Sequence, residues 1–520
     1  MPPAFGFMSQ FPSSARSLVL AFAWMAIGLP AFAGNHGYSA AGPAWQRFRL
    51  TLQPGERTEG FGPFWSEETV WNSRSALEAG IVDPLAPPPG LTTVQARAAT
   101  IAFAPFFSQH REYEADGTTI HVLYPLVTYH RYGEQRSFQI AQLFALRGGP
   151  NQAGDTVRRF TLFPFYFQQR AEDPSLNYTG LLPIYGRVKN RLFRDEVRWV
   201  LWPLYVETWK RDVHTRNYVA PFVHVREGGA TGWQFWPLYG TEHREPETRT
   251  NPVGEREVLG GYDKQFALFP IYWRQQLDVG TTNRGSFHAV LPFWARQHSP
   301  TQERHSYLWP LGVSIFEDRA RDYHETGLAW PLVAFGRGPD RRLDRVFPLF
   351  SSLRDKEDAN TIVLWPLYRT KHRENQRIEL DRTSVLLFLY TDVRQRDKSD
   401  GRERRRTDLW PLFTARRDYE GRERLQLLAP FEPILPESDG VKRSWSPLWS
   451  VWRSEKNPQT GAASHSLLWN LYRHESAAAA KKCSLLFGLV RYETGSAGSR
   501  WRVAFVPFGK NRPRAEGAKP

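Results

Sequence analysis

The sequence predicts an all-β protein built as one large antiparallel repeat, and three observations carry that prediction. A short apolar phrase around a proline recurs along the chain: Leu201-Trp202-Pro203-Leu204-Tyr205 returns almost unchanged as Leu364-Trp365-Pro366-Leu367-Tyr368. Self-similarity at a fixed period sets the architecture before any single residue is considered. The spacing is mostly about 16–23 residues, too short for a two-helix repeat of about 33 or more, and enough for one strand of about 10 residues with its turn. A proline in the middle of every unit would break a helix, whereas the surrounding Trp, Phe, Tyr, Leu and Val suit a pleated strand.

The repeat can be followed by its centre, from Pro63, Pro105 and Pro125 through Pro430, Pro447 and Pro507. Copies centred on Ala145, Phe388, Asn470 and Gly488 keep the apolar flanks without the proline. This gives about 22 units. Turn-forming clusters separate them, such as Glu227-Gly228-Gly229-Ala230 and Ser399-Asp400-Gly401.

Each apolar phrase sits between charged segments, as in Val197-Arg198-Trp199-Val200-Leu201-Trp202-Pro203-Leu204-Tyr205-Val206-Glu207-Thr208-Trp209-Lys210-Arg211. If successive strands run up and down, the phrases align as an apolar belt at mid-height between two charged rims. That is the layout of an up-and-down, outer-membrane-type β-barrel, here of about 22 strands. Proline cannot donate to a strand ladder, so β-bulges are the economical way to place it. Both faces of a strand would be apolar at its centre, which leaves a soluble β-solenoid or layered β-repeat array as the alternative.

Taken in order, residues 1–33 read as a signal peptide, with Arg16, the apolar stretch from Leu18 to Leu29 and a small-x-small cleavage site at Ala31-Phe32-Ala33. Residues 34–100 hold N-terminal strands, expected at 48–52 and 61–65. A Pro-rich loop follows, containing Ala86-Pro87-Pro88-Pro89-Gly90 and a short helix near 75–79. Residues 101–508 form the continuous β-repeat, with one long connection over 245–264. Residues 509–520 are a basic tail.

Composition narrows the partners. The net charge is +15 with an isoelectric point near 9.8, but arginines alternate with acids, as in Arg402-Glu403-Arg404-Arg405-Arg406-Thr407-Asp408. Solvated loops and rim ion pairs account for this, and no nucleic-acid module is visible. Outer-membrane lipid or lipopolysaccharide and the barrel-assembly machinery are the expected partners; any cargo is unspecified. Mean hydropathy is −0.51 and no mature stretch is long and apolar enough for a helical span. Cys483 is the single cysteine, so an intramolecular disulfide is impossible.

No hydrolase elbow, zincin motif, P-loop or dinucleotide fingerprint occurs. No catalytic, cofactor-binding or metal-binding residues are assigned, and no enzyme activity is expected. His110, His243, His372 and His474 recur beside charges and read as polar strand ends rather than ligands. Asp322, Asp340, Asp344 and Asp358 are expected in turns. Trp202, Trp236, Trp309, Trp330, Trp365, Trp410, Trp449 and Trp469 read as packing residues at strand centres.

The strings Phe163-Pro164-Phe165-Tyr166, Arg406-Thr407-Asp408-Leu409-Trp410-Pro411-Leu412-Phe413 and Ser466-Leu467-Leu468-Trp469-Asn470-Leu471-Tyr472 resemble uncharacterised exported proteins of Gram-negative bacteria that carry repeated Leu-Trp-Pro-Leu-Tyr-type motifs. The resemblance covers most of the mature chain. It implies a bacterial envelope setting and brings no activity, substrate or catalytic residue. The expected function is an outer-membrane β-barrel acting as a pore, export channel or structural envelope component. The alternative is a soluble periplasmic or secreted β-repeat scaffold.

Overall fold

The computed structural model describes residues 45–72, 96–151, 154–250, 256–477, 480–495, 498–504 and 506–508. The signal segment, the helix expected near 75–79 and the basic tail lie outside the described residues.

The protein is all-β and antiparallel, as the repeat predicts. Its phase differs from the expectation. Most units contribute two short strands rather than one long one, and their apolar phrase is a turn rather than a strand centre; the phrase around Pro507 is an exception, lying in the strand Val506–Phe508. The strand Arg194–Val200 ends at Leu201; residues 201–204 turn; Tyr205–Lys210 returns; Arg211 and Asp212 turn again into Val213–Tyr218. Among the described residues the main sheet therefore has 43 strands instead of about 22, each paired with the next sheet strand along the chain. In the long 245–264 connection, a separate hairpin pairs Glu247–Thr250 with Arg256–Leu259, and the next sheet strand begins at Gly261.

Proline explains the phase. The Leu204 N–H donates to the Leu201 carbonyl at 2.8 Å, and the Trp202–Pro203 peptide is cis, the arrangement of a type VI turn. The Leu367 N–H closes the same turn onto Leu364 at 2.7 Å. Within a turn the imino acid is not asked for a ladder hydrogen bond, so no bulge is needed. The N-terminal strands shift for the same reason. They run Gln46–Arg49, Gly55–Gly60 and Trp65–Trp71, and the expected strand at 61–65 is mostly the turn around Pro63.

Because the strands form a meander, alternate connections fall on the same edge. The apolar turns all lie along one rim, among them residues 123–126, 163–165, 201–204, 308–312 and 364–367. The intervening turns are polar and lie along the other: Arg211-Asp212, Arg319 to Asp322 and Asp355 to Glu357. The register keeps the rims straight. The Cα partners one residue inward from the apolar rim run Trp199, Val206, Asn217 and His224 in one region and Ser384, Thr391, Asp408, Thr414 and Gln426 in another. No stagger accumulates along this row.

Among the described residues the sheet is not closed by strand pairing: Gln46–Arg49 pairs with Gly55–Gly60 alone, and Val506–Phe508 with Gly498–Val503 alone. Side chains instead lap its first strands over strands near its end. The Thr51 hydroxyl donates to the Ser464 hydroxyl at 2.7 Å, the Asn457 amide to the Thr51 carbonyl at 3.2 Å, and the Arg422 guanidinium to the Leu52 carbonyl at 3.3 Å. Beneath this lap, Arg453 pairs with Glu455 and Arg473 with Glu475, carboxylates that are both buried.

A compact apolar cluster forms at Tyr178, Val188, Val197, Trp199 and Val206. Glycine makes room for it: a Cβ on Gly186 would stand 2.1 Å from the Trp199 ring. Over much of the sheet the buried positions beside the apolar rim are instead small, such as Ala102, Ser108, Ala289, Ala334 and Ser351. The units expected as strands around Pro430 and Pro447 are an insertion, residues 428–451, holding the short helices α1 (Asp439–Ser444) and α2 (Ser446–Trp449). The Ser438 side chain caps α1 by accepting from the Val441 N–H.

Candidate functional site

The apolar rim is the larger of two features that the fold assembles. Leu201, Trp202 and Leu204 are each about half exposed, and Leu308 and Leu311 more so. The tryptophans expected at strand centres lie here instead: Trp202, Trp236, Trp309, Trp330, Trp365, Trp410 and Trp469 are in the turns or at their mouths, and Trp449 is in α2. The residue pairs that close the hairpins extend the apolar layer by one row, as in Val200 with Tyr205, Leu328 with Val333 and Val363 with Tyr368. Two residues further along the same face the partners are Arg198 with Glu207 and Thr361 with Thr370. At about 3.3 Å per residue the apolar layer is roughly 10 Å deep.

The second feature is a cavity of about 570 Å³. It lies between the strands Phe107–Glu112, Gly117–Val122 and Val127–Tyr132 and the insertion that carries α1. The insertion is pinned there by three polar contacts. The Trp445 indole N–H donates to the Tyr124 carbonyl at 2.9 Å, the Ser438 hydroxyl to the Tyr124 hydroxyl at 3.0 Å, and the Ser444 and Ser108 hydroxyls meet at 3.1 Å. Gly440 lies flat on the Tyr124 ring, where a Cβ would stand 2.4 Å away.

His110, His121 and His130 line this cavity from three successive strands. His110 and His130 are both Cα partners of Thr119, and His121 lies two residues beyond Thr119 on the same strand. All three therefore face the same side. Each Nδ1 meets a hydroxyl: His110 that of Thr100 at 2.8 Å, His130 that of Thr119 at 3.3 Å, and His121 that of Ser108 at 3.5 Å. Burial pushes the His121 imidazole down to about 4, helped by His130 and Arg443. Burial and then Arg443 also lower His130, and the same pair of effects dominates at His110. All three are neutral at pH 7. Burial pulls the Arg443 guanidinium down in turn, opposed by Asp439, Tyr132, Glu68 and Glu112.

The histidines singled out in the sequence thus part company. His110 joins the cavity. His243 holds Glu245 through Nε2 at 3.0 Å and Asp263 through Nδ1, and the hydrogen bond to Asp263 raises its pKa. His372 Nδ1 bonds Asp381 at 2.7 Å, and the donor atoms of His372, Glu379 and Asp381 lie within 4.8 Å of one another. His474 is the Cα partner of both His465 and Cys483. Burial pushes the Cys483 thiol up, the wrong direction for a nucleophile. Asp322 and Asp340 lie outside strands as expected, whereas Asp344 and Asp358 are in strands; Asp344 accepts from Arg337 and Arg342. His121 and His130 were not singled out in the sequence. Histidines on one face of successive strands are the signal, readable only once the strand phase is right. No protein-family model matches the chain, and no curated protein does.

Proposed function

We propose that the chain is a structural component of a Gram-negative envelope, held at the outer-membrane surface by its apolar rim, with the charged rim in water. The observation that carries this reading is the segregation of every apolar proline turn to one edge of a long sheet. Extended exposed apolar surface bordered by polar residues is characteristic of membrane or protein contact. Tryptophan and tyrosine, frequent in this rim, favour the membrane–water interface. A layer roughly 10 Å deep matches insertion to about 5–10 Å at the headgroup–acyl boundary. A spanning barrel would call for an apolar band about 25 Å tall and strands of about 9–11 residues. Strands here are typically six residues, as in Tyr205–Lys210 and Val213–Tyr218, and charge begins two residues in from the turn.

The test is flotation of the purified protein with phosphatidylethanolamine–phosphatidylglycerol vesicles. The wild type floats in high salt. A variant with Trp202→Glu, Trp309→Glu and Trp365→Glu stays at the bottom of the gradient while keeping its β circular-dichroism spectrum. A wild-type protein that remains soluble and monomeric with vesicles present overturns the reading in favour of a soluble scaffold.

A further inference from the structure

We propose that the cavity beneath α1 is a saccharide-binding site, sized for a neutral ligand of one or two sugar rings. It lies where the hairpin repeat is interrupted and the insertion 428–451 folds back onto strands far upstream in the chain. Its floor is one face of the sheet. Glu112, Gly117 and Tyr132 form a cross-strand row there, and His121, His130 and Gln139 face the same side from the next rows. Gly117 keeps the middle of the first row open, since a Cβ there would stand 2.9 Å from the Tyr132 ring. The roof is α1, which carries Arg443 into the lining.

The charges in this lining argue against an ionic ligand. Arg443 opposes a cation, and the carboxylates of Glu112, Glu437 and Asp439, on the same cavity, oppose an anion. Elsewhere on the sheet such groups pair directly, as Arg187 does with Glu196 and Arg296 with Glu303, both at 2.7 Å. Here Glu112 and Arg443 feel each other's charge without touching. Among the described residues neither side chain has a hydrogen-bond or ion-pair partner, and the Gln139 amide has none either. Polar groups turned into a cavity need partners. A hydroxyl supplies both kinds, donating to the carboxylate and accepting from the guanidinium.

The neutral groups fit the same ligand. His121 and His130 meet protein hydroxyls through Nδ1, which leaves each Nε2 to a ligand, and burial keeps both rings uncharged at pH 7. Tyr132 is about half exposed at the mouth, where its ring offers an apolar platform to the C–H face of a pyranose. The cavity volume of about 570 Å³ falls within the range of about 300–1,000 Å³ for small-molecule sites. An apolar platform with a few convergent polar groups is the usual composition of such a site.

The experiment is saturation-transfer NMR on the untagged, full-length protein. The probes are glucose, N-acetylglucosamine, maltose, lactose and N,N′-diacetylchitobiose, and calorimetry gives the affinity of any that bind. At least one disaccharide receives saturation from the wild type. Arg443→Gln and Glu112→Gln each weaken its binding about 10-fold or more, Tyr132→Ala weakens it comparably, and Glu317→Gln, far from the cavity, leaves it unchanged. Inorganic phosphate does not displace it. No transfer to any of the five probes overturns the proposal, as does wild-type affinity in both Arg443→Gln and Glu112→Gln. Displacement by phosphate overturns it in favour of an anion site. Should Arg443→Gln fail to fold, as judged by circular dichroism, Glu112→Gln and Tyr132→Ala decide the question by the same titration. The result is independent of whether the rim binds membrane.

Discussion

The Arg473 guanidinium carbon lies 3.7 Å from the centre of the Phe48 ring. This cation–π contact ties the first described strand of the sheet to one of its last, across a seam that no strand pairing closes among the described residues. Phe48 is buried, and Arg473 also binds Glu475. The seam is a lap joint, held by side chains where a barrel would use a strand ladder.

Phe48→Ala should therefore loosen the seam more than it disturbs any single hairpin. Removing a buried phenylalanine costs about 3–5 kcal/mol, and the cation–π contact belongs to that loss. The measurement is the urea midpoint together with proteolysis of the first three strands. A variant as stable and as protease-resistant as wild type would contradict the joint.

Charge beneath the lap makes a second prediction. Burial alone would raise the Glu455 carboxyl, but Arg453 and Arg424 outweigh it and hold it below the usual carboxylate range. Glu455→Gln removes the carboxylate that Arg453 hydrogen-bonds and that offsets the charge of Arg424, and should cost about 3–5 kcal/mol. Glu317→Gln removes the weaker of two partners of Arg319, at 3.9 Å on the exposed polar side where Glu303 stands at 2.8 Å, and should cost less than about 1 kcal/mol. Equal urea midpoints for the two variants would refute the distinction.

Gly186→Ala should destabilise the hairpin around Trp199. The added Cβ meets the indole 2.1 Å away, and overpacking of this kind costs about 1–3 kcal/mol. A thermal melt that matches wild type would show that the Trp199 ring has another place to go.

Acidification should act through Glu303. Hydrogen bonds from Arg296 and then His305 pull its carboxyl down to about 2. Its folded-state value lies below the unfolded one, so its contribution is complete above about pH 4.5 and fades as the pH falls through about 2. Glu303→Gln should thus lower stability at pH 7 and make almost no difference at pH 1.5. A difference that persists at the lower pH would contradict the assignment.

The class of fold was legible in the sequence; the phase was not. The period and the strand-forming composition identify an antiparallel β-repeat, and both follow from local pattern. Turns are usually recognised by polarity, and here alternate ones are apolar, of the Leu-Trp-Pro-Leu kind, because they form an exposed rim. Read by hydropathy they pass for strand centres. The true strands, such as Val213–Tyr218 with His214 and Arg216, carry charge and polar groups and so do not stand out by hydropathy. The proline itself was the better guide, since a turn accommodates it more readily than the middle of a ladder. The seam and the histidine cavity were hidden for a different reason. Phe48 with Arg473, and Ser108 with Ser444, meet although they lie hundreds of residues apart in the chain, and no local pattern announces such contacts.

The most direct test of the account is depth-resolved quenching of tryptophan fluorescence by vesicles whose phospholipids are brominated at different positions along the acyl chain. With an inserted rim, quenching is strongest for bromines near the headgroup end of the chain, weak for those near the bilayer centre, and sharply reduced by Trp202→Phe, Trp309→Phe and Trp365→Phe together. Quenching strongest at the bilayer centre would mean that the strands span the membrane, and no quenching at any depth would mean that the rim faces protein or water.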